Sequence, residues 1–261
     1  MKEDTSRHTV LSATDLAIGY KKNKVARHIN FALNGGELTA IVGINGIGKS
    51  TLLRTMAHMQ PPLSGSIEVD RKPLDTYTPQ KLSSKISMVL TEPLASKNLS
   101  VAELVALGRQ PYTNWIGTLT EDDRQKTEEA LAALGLASIR KKKCYELSDG
   151  QLQRAMIARA LAQDTAIILL DEPTTHLDLY HKVQILKLLK SIAHETQKTV
   201  VFTTHEIEMA IQLCDKMLLL NGTDNPFGQP CQLIEQGAFE AIFPDDTVTF
   251  DGETGTFRIK K

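Results

Sequence analysis

Val10 to Tyr20 mixes apolar with small polar residues and predicts a strand. Phe31-Ala32-Leu33 predicts another extended piece, closed by a turn at Asn34-Gly35-Gly36. Leu38-Thr39-Ala40-Ile41-Val42 is a dense apolar run, predicting a buried strand that stops at Gly43. The period then lengthens. Leu52, Leu53, Met56 and Ala57 share one helical face, in a helix expected from Lys49 to Gln60 and ended by Pro61-Pro62. Ile67-Glu68-Val69 and Ile86-Ser87-Met88-Val89-Leu90 read as further short strands.

The middle of the chain is helical. Val101 to Leu107 predicts one helix, and a second follows Thr120, whose partner Asp123 three residues on suggests a capping box; Gly135 ends it. A third helix is expected from near Ser148 to Gln163. Strand patterns resume at Ala166–Leu170, Thr199–Thr203 and Lys216–Leu220. Between them Leu179, Val183, Leu186, Leu189 and Ala193 mark one helical face, with Lys182, Lys187 and Lys190 away from it. Strands alternating with helices predict an α/β fold with a largely parallel sheet, into which Pro93 to Gln163 is inserted as a helical block. After Leu220 the stretch to Pro230 is turn-rich, and the tail to Lys261 reads as short strands. No function attaches to Phe243-Pro244-Asp245-Asp246 or to Phe250-Asp251-Gly252.

Two segments carry chemistry. Gly43-Ile44-Asn45-Gly46-Ile47-Gly48-Lys49-Ser50 fits G-x-x-x-x-G-K-[ST] at every fixed position, between a predicted strand and a predicted helix. Its glycines let the backbone wrap a phosphate with N–H groups pointing inward, and the helix adds its positive end. Lys49 would reach the β- and γ-phosphates, and the Ser50 hydroxyl would ligate Mg²⁺. The second segment, Ile167-Ile168-Leu169-Leu170-Asp171-Glu172-Pro173, is a buried strand ending in two carboxylates. Adjacent strand residues point to opposite sides, so the two acids are expected to divide the work. Asp171 would hold Mg²⁺ through water, and Glu172 would orient and deprotonate an attacking water.

Composition narrows the setting. The 261 residues carry 30 Lys+Arg against 31 Asp+Glu, a net charge of -1, which excludes a globally basic nucleic-acid coat. The longest strongly apolar run, Ala166 to Leu170, is far too short to span a bilayer. Met1 to His8 has no apolar segment behind its charges and does not read as a secretory signal. Cys144, Cys214 and Cys231 lack metal-ligand spacing and are expected to be free, buried thiols. Arg140-Lys141-Lys142-Lys143 reads as a solvated face.

Leu147-Ser148-Asp149-Gly150-Gln151 opens a predicted helix and ends 20 residues before Asp171. With the two phosphate segments, in this order, it resembles the LSGGQ signature of ABC ATPases, and the resemblance spans about Leu11 to Leu220. It implies a P-loop NTPase fold of the ABC type, with a mainly parallel sheet core, a small antiparallel β subdomain and an inserted helical subdomain. The whole of 1–261 is then one ABC ATPase domain, core 1–92 and 164–261, helical subdomain about 93–163. The resemblance also implies ATP and Mg²⁺ as ligands. Nucleotide-binding positions are Tyr20, stacking on adenine, with Gly43, Asn45, Gly46, Gly48, Lys49, Ser50 and Thr51, and in the signature Ser148, Gly150 and Gln151. His205, after Val200-Val201-Phe202-Thr203-Thr204, matches the switch histidine and joins Glu172 as a catalytic residue. Asp178 in Leu177-Asp178 matches the D-loop at the dimer interface. Ser148 would cap the γ-phosphate bound to a second copy, so a homodimer is expected in the ATP-bound state.

Two departures from the family pattern bear on the site. Asp149 stands in place of a glycine and brings a negative charge near a triphosphate. Thr91, with Glu92 adjacent, takes the place of a glutamine; either is placed to touch Mg²⁺ or its water, but Thr91 is too short to copy a glutamine's reach. Val105-Ala106-Leu107-Gly108-Arg109-Gln110-Pro111-Tyr112 and Leu177-Asp178-Leu179-Tyr180-His181-Lys182 look like stretches of ATPases serving importers of iron–siderophore, haem and vitamin B12. That branch implies a separate membrane permease contacted through the helical block near Arg109, and a periplasmic or lipoprotein substrate-binding protein acting indirectly. It implies no nucleic acid, and a peripheral place on the cytoplasmic face of the inner membrane. The alternatives are an exporter or lipid-extraction ATPase, and a soluble ABC protein outside transport.

Overall fold

The computed structural model describes residues 8–21, 23–92, 94, 96–243 and 248–260. The terminal Met1 to Arg7, the expected boundary at Pro93, and Pro244-Asp245-Asp246 lie outside the described residues.

The chain begins with two long antiparallel strands, β1 (Thr9–Tyr20) and β2 (Asn23–Asn34), so the short extended piece predicted at Phe31 belongs to a twelve-residue strand. β3 (Leu38–Val42) follows and is buried along its whole length. Next come α1 (Lys49–Met56), β4 (Ser64–Val69), β5 (Lys72–Pro73), α2 (Pro79–Ser83) and β6 (Ile86–Val89). The helical stretch holds α3 (Val101–Ala106), α4 (Glu121–Ala133) and α5 (Asp149–Ala162). Then β7 (Ile167–Leu170), α6 (Leu179–Thr196), β8 (Thr199–Thr204), α7 (Ile207–Leu213) and β9 (Lys216–Leu219) alternate. β10 (Phe227–Gly228), α8 (Pro230–Glu235), β11 (Val248–Asp251) and β12 (Thr256–Ile259) complete the order.

Among the described residues the strands form three sheets: antiparallel β2-β1-β4-β5, six-stranded β10-β9-β3-β8-β7-β6, and the hairpin β11-β12. In the six-stranded sheet every pairing is parallel except β10 with β9. Its side chains alternate between two cores. Leu38, Ala40, Val42, Ile168, Leu170, Val200 and Phe202 face the helices, and the same cluster continues into α3, α4 and α5. Ile41, Ile167, Leu169, Val201 and Leu218 face α1 and the antiparallel sheet. Both faces are covered, which is why these strands read as unbroken apolar runs.

The three predicted helical starts share one device. Ser100, Thr120 and Ser148 each accept the backbone N–H three residues on, while Glu103, Asp123 and Gln151 reach back to the cap.

Several expectations are corrected. α1 stops at Met56, not Gln60, because His58 adopts φ +57° and the N–H groups of His58 and Met59 return to the carbonyls of Thr55 and Arg54. The helix is therefore closed by its own left-handed cap before the prolines are reached. The tail contains a helix, α8, with Pro230 in its first turn, as well as short strands. The buried face of α6 is Ile185, Leu186, Leu189, Ile192 and Ala193; Leu179 is exposed. Lys182 pairs with Glu206, and Lys190 donates to the Leu213 carbonyl at 2.9 Å, so neither projects freely from the outer face. Cys231 is exposed, whereas Cys144 and Cys214 are buried.

Arg109 is buried. Its guanidinium donates to Asp123 Oδ1 at 2.8 Å, to the Ala162 carbonyl at 2.9 Å and to Asp122 Oδ2 at 3.4 Å, and it lies 4.1 Å from the Tyr112 ring centroid. It ties the start of α4 to the end of α5, a structural role within the helical block.

Candidate active site

The carboxyl ends of β3, β7 and β8 lie side by side, since these strands are neighbours in a parallel sheet. Everything that follows them in the chain is delivered to one edge. After β3 comes the glycine loop. A β-carbon on Gly43 would stand 2.4 Å from the Leu220 carbonyl oxygen, so only glycine lets the loop leave the sheet there. Gly48 caps α1 at φ +108°, a conformation that a side chain rarely tolerates. α1 then starts at Lys49, with its free N–H groups opening into the loop.

Lys49 is 6% exposed. Its ammonium donates to the carbonyls of Gly43 at 3.0 Å and Ile44 at 3.2 Å, which folds the side chain back over the loop. Burial pushes its pKa below the usual lysine value, while the charges of Glu172 and Asp171 pull it back up. One residue on, Ser50 Oγ donates to Asp171 Oδ1 at 2.9 Å.

Asp171 is buried just past the end of β7 and accepts from three hydroxyls. Besides Ser50 it accepts from Thr203 Oγ1 at 2.7 Å and from Thr91 Oγ1 at 3.4 Å. Glu172 is not a strand residue: β7 ends at Leu170, and Glu172 sits at φ +46°. Strand alternation therefore does not separate the two acids; the left-handed turn does. Glu172 N–H donates to Thr203 Oγ1 at 2.8 Å, and its Oε2 accepts from Thr175 Oγ1 at 2.9 Å. Its carboxylate lies 4.0 Å from Lys49 Nζ and 3.7 Å from His205 Nδ1. Lys49, Ser50, Asp171, Glu172, His205 and Thr91 thus meet at one edge.

Sequence reasoning missed Thr203 and Thr175. Thr203 holds both acids at once, through its hydroxyl and through the Glu172 amide. Its signal was legible: a buried threonine at the end of an apolar strand must find hydrogen-bond partners. Arg54 was also missed; it donates to Glu92 Oε1 at 3.0 Å, so Glu92 is tied to α1 while Thr91 faces Asp171. Tyr20 is half exposed and its hydroxyl accepts from Thr51 Oγ1 at 3.3 Å, which places it beside the start of α1.

The signature residues are elsewhere. Ser148, Gly150 and Gln151 line a cleft of about 270 Å³ with Ser138, Arg154 and His181. Asp149 does not share that cleft. It faces another, shared with Thr91, Glu92, Asp171, Glu172 and His176. Its charge points away from the Ser148 side of the helix and is solvent-exposed. Asp178 caps α6, accepting from His181 N–H at 2.9 Å.

The oxygens of Ser50 and Asp171 form a hard-donor pair of the kind Mg²⁺ uses when phosphates and waters complete its shell. Among the described residues, no group of three or more His, Cys, Asp or Glu would hold a metal by itself. The residues present therefore fit a cation that arrives with a polyphosphate.

The family model described as ABC transporter matches residues 26–175, and one described as an AAA domain matches 143–209. The petrobactin import ATP-binding protein FpuD of Bacillus anthracis is 33% identical over 234 residues, covering 89% of this chain and 86% of that protein. An inward-facing structure of a putative metal-chelate type ABC transporter superposes with a TM-score of 0.77 at 34% identity, covering 90% of this chain and 89% of that one. The dimeric post-hydrolysis ATP-binding cassette MJ0796, bound to ADP and Pi, gives 0.72 at 28% identity, covering 84% and 98%.

Proposed function

This chain belongs to the ABC transporter family of ATP-binding proteins, and from that premise we propose that it hydrolyses ATP to drive a membrane importer of iron chelates or cobalamin. Two things support the reading. The phosphate loop, Asp171, Glu172 and His205 converge at one sheet edge, and FpuD is named for petrobactin import.

The loop Gly43 to Ser50, with Asn45, Gly46, Gly48 and Thr51, wraps the phosphates, and Tyr20 meets the adenine. Lys49 exchanges its carbonyl partners for phosphate oxygens, a charge-assisted contact that offsets its burial. Ser50 and Asp171 would hold Mg²⁺, which when bound would neutralise charge on the phosphates. Glu172 accepts a proton from the water that attacks the γ-phosphorus as the bond to ADP breaks. Thr175 and His205 hold the Glu172 carboxylate in place. Thr91 steadies Asp171 in the position where the family has a glutamine.

Ser148, Gly150 and Gln151 act on the nucleotide of a second copy, because they line a cleft other than that of Glu172. A homodimer with two sandwiched ATP molecules accounts for both clefts, and Asp178 lies at its interface. ATP then favours the closed pair, and hydrolysis releases it. We read 1–261 as one ABC ATPase domain, core 1–92 and 164–261 with a helical subdomain about 93–163. The packing of α3, α4 and α5 on one another supports that division.

Among the described residues no helix is long and apolar enough to cross a membrane, so this reading requires separate permease subunits. A groove of about 310 Å³ between core and helical block, lined by Met59, Met88, Leu90, Glu92, Leu94 and Met156, is our proposed permease contact. Glu92 and Leu90 line both this groove and the cleft of Glu172, so a partner seated there touches the catalytic side. The protein then sits peripherally on the cytoplasmic face of the inner membrane, with a substrate-binding protein on the far side.

Uptake of labelled siderophore, haem and cobalamin in a strain lacking the gene tests this. Loss of uptake of one of them, restored by the intact gene and not by a Lys49→Ala copy, is expected. Unchanged uptake of all three, with an export or lipid defect instead, overturns import.

A further inference from the structure

The His205 ring stands between two carboxylates, one near each nitrogen. Nδ1 is 3.7 Å from Glu172 Oε2, and Nε2 is 3.5 Å from Glu206 Oε1. Among the described residues the ring has no other polar partner. Its side chain is 45% exposed, so packing alone does not fix its direction.

Glu206 is held more firmly than the ring it faces. Lys182 of α6 donates to the same Oε1. The Lys182 and Glu206 side chains are only 20% and 23% exposed, so water and salt screen this pair less than a surface one. The Glu206 backbone N–H donates to Thr204 Oγ1 at 3.0 Å, and Thr204 is buried at the end of β8. Glu206 occupies the N-cap of α7, yet its side chain makes no cap bond. A polar side chain there ordinarily accepts from the first helical turn. This one is turned to Lys182 and His205 instead.

A strap between α6 and α7 would need Lys182 and Glu206 only. The imidazole placed against the same oxygen goes beyond that. A carboxylate near each ring nitrogen sets the direction of the ring as well as its distance from Glu172. Glu206 itself does not line the cleft of Glu172, so its influence on the reaction passes through His205.

We propose that Glu206, steadied by Lys182 of α6, is a positioning residue that holds the His205 ring beside Glu172. This rests on the hydrolysis reading above. In the free chain the ring is already directed at the general base, and the γ-phosphate meets it there. Without Glu206 the exposed imidazole would have to be brought back to Glu172 in each turnover, at a cost to the rate and not to ATP binding.

The test uses the full chain and single-turnover hydrolysis of MgATP, with Tm measured beside it. Glu206→Ala is expected to slow hydrolysis about tenfold, less than the full cost of a displaced group because Glu172 still faces the other nitrogen, with the ATP concentration for half-maximal rate unchanged. In a His205→Ala background, Glu206→Ala is expected to cost nothing further, since the ring it places is gone. An undiminished rate in Glu206→Ala overturns the proposal. So does an equal loss in both backgrounds, the result for a strap whose removal loosens the fold and lowers Tm. Should Glu206→Ala fail to fold, Glu206→Gln replaces it in both backgrounds: a smaller loss that again vanishes without His205 supports the proposal, and one that persists overturns it. A parent chain that does not hydrolyse ATP defeats the hydrolysis reading. Ring-nitrogen NMR of isotopically labelled histidine then decides the positioning role. Glu206→Ala should move the signals that His205→Ala removes, and unmoved signals overturn it.

Discussion

Lys49 Nζ and Glu172 Oε1 stand 4.0 Å apart, one from the helix after β3 and the other from the turn after β7. The lysine is buried with two carbonyls as its hydrogen-bond acceptors, and burial pushes it toward its neutral form. A polyphosphate reverses that balance, since opposite charge favours the ammonium. Lys49→Ala is therefore expected to weaken ATP binding strongly and to abolish turnover. Phosphate release and nucleotide titration check it, and near-normal turnover would remove the phosphate loop from the mechanism.

Glu172→Gln keeps the side chain's size and its bond from Thr175 but removes the proton acceptor. Hydrolysis should slow by roughly 10²–10⁴-fold while ATP still binds. Single-turnover assays separate the two quantities. A variant that hydrolyses at the parental rate places the general base elsewhere.

Asp149 is exposed, faces the cleft of Glu172, and stands in the first turn of α5, where a negative charge favours the helix dipole. Asp149→Asn should cost about 0.3–1 kcal/mol of stability and leave ATP-driven dimerisation close to the parent. A marked gain in dimerisation on removing the charge would show that Asp149 opposes the partner's triphosphate after all.

Arg109 and Asp123 form a buried ion pair at 2.8 Å. Removing one partner strands the other, so Arg109→Ala is expected to destabilise the chain by about 3–5 kcal/mol, read by chemical denaturation. Burial raises the Asp123 pKa, but hydrogen bonds from Thr120 and Arg109 outweigh it and hold the carboxyl below its ordinary 3.8. A depressed pKa stabilises the fold above the unfolded value and ceases to do so as pH falls through the folded one. The stability gap between the parent and Asp123→Asn should therefore be full at neutral pH and close below about pH 3.8. A gap that persists in acid would mean that the charge on Asp123 is not what matters.

The glycine loop, the acidic strand end and the three capped helices were legible because each is written in consecutive residues. Ser148-x-x-Gln151 satisfies its own helix end, so its structure depends on nothing remote. The end of α1 was misread for the complementary reason. Pro61-Pro62 is the louder signal in sequence, but the left-handed turn at His58 comes first, and no residue type there announces it. The burial of Arg109 was not legible, because Asp123 and the Ala162 carbonyl, which hold its guanidinium, stand 14 and 53 residues further along the chain.

The sequence by itself determined the chemistry available: a phosphate loop, two adjacent carboxylates, a histidine at a strand end and a serine-led helix. Hydrophobic period and local capping fixed the elements that carry them, since both act over a few residues. Tertiary structure alone decided which groups meet. Parallel pairing of β3, β7 and β8 brought Ser50, Asp171 and Thr203 within hydrogen-bonding distance, although 121 residues separate the first two. It also turned Asp149 to one cleft and Ser148 with Gly150 to another. Long-range contacts are selected by burial of the two sheet faces as a whole. That is a property of the packed chain, and no local window of residues contains it.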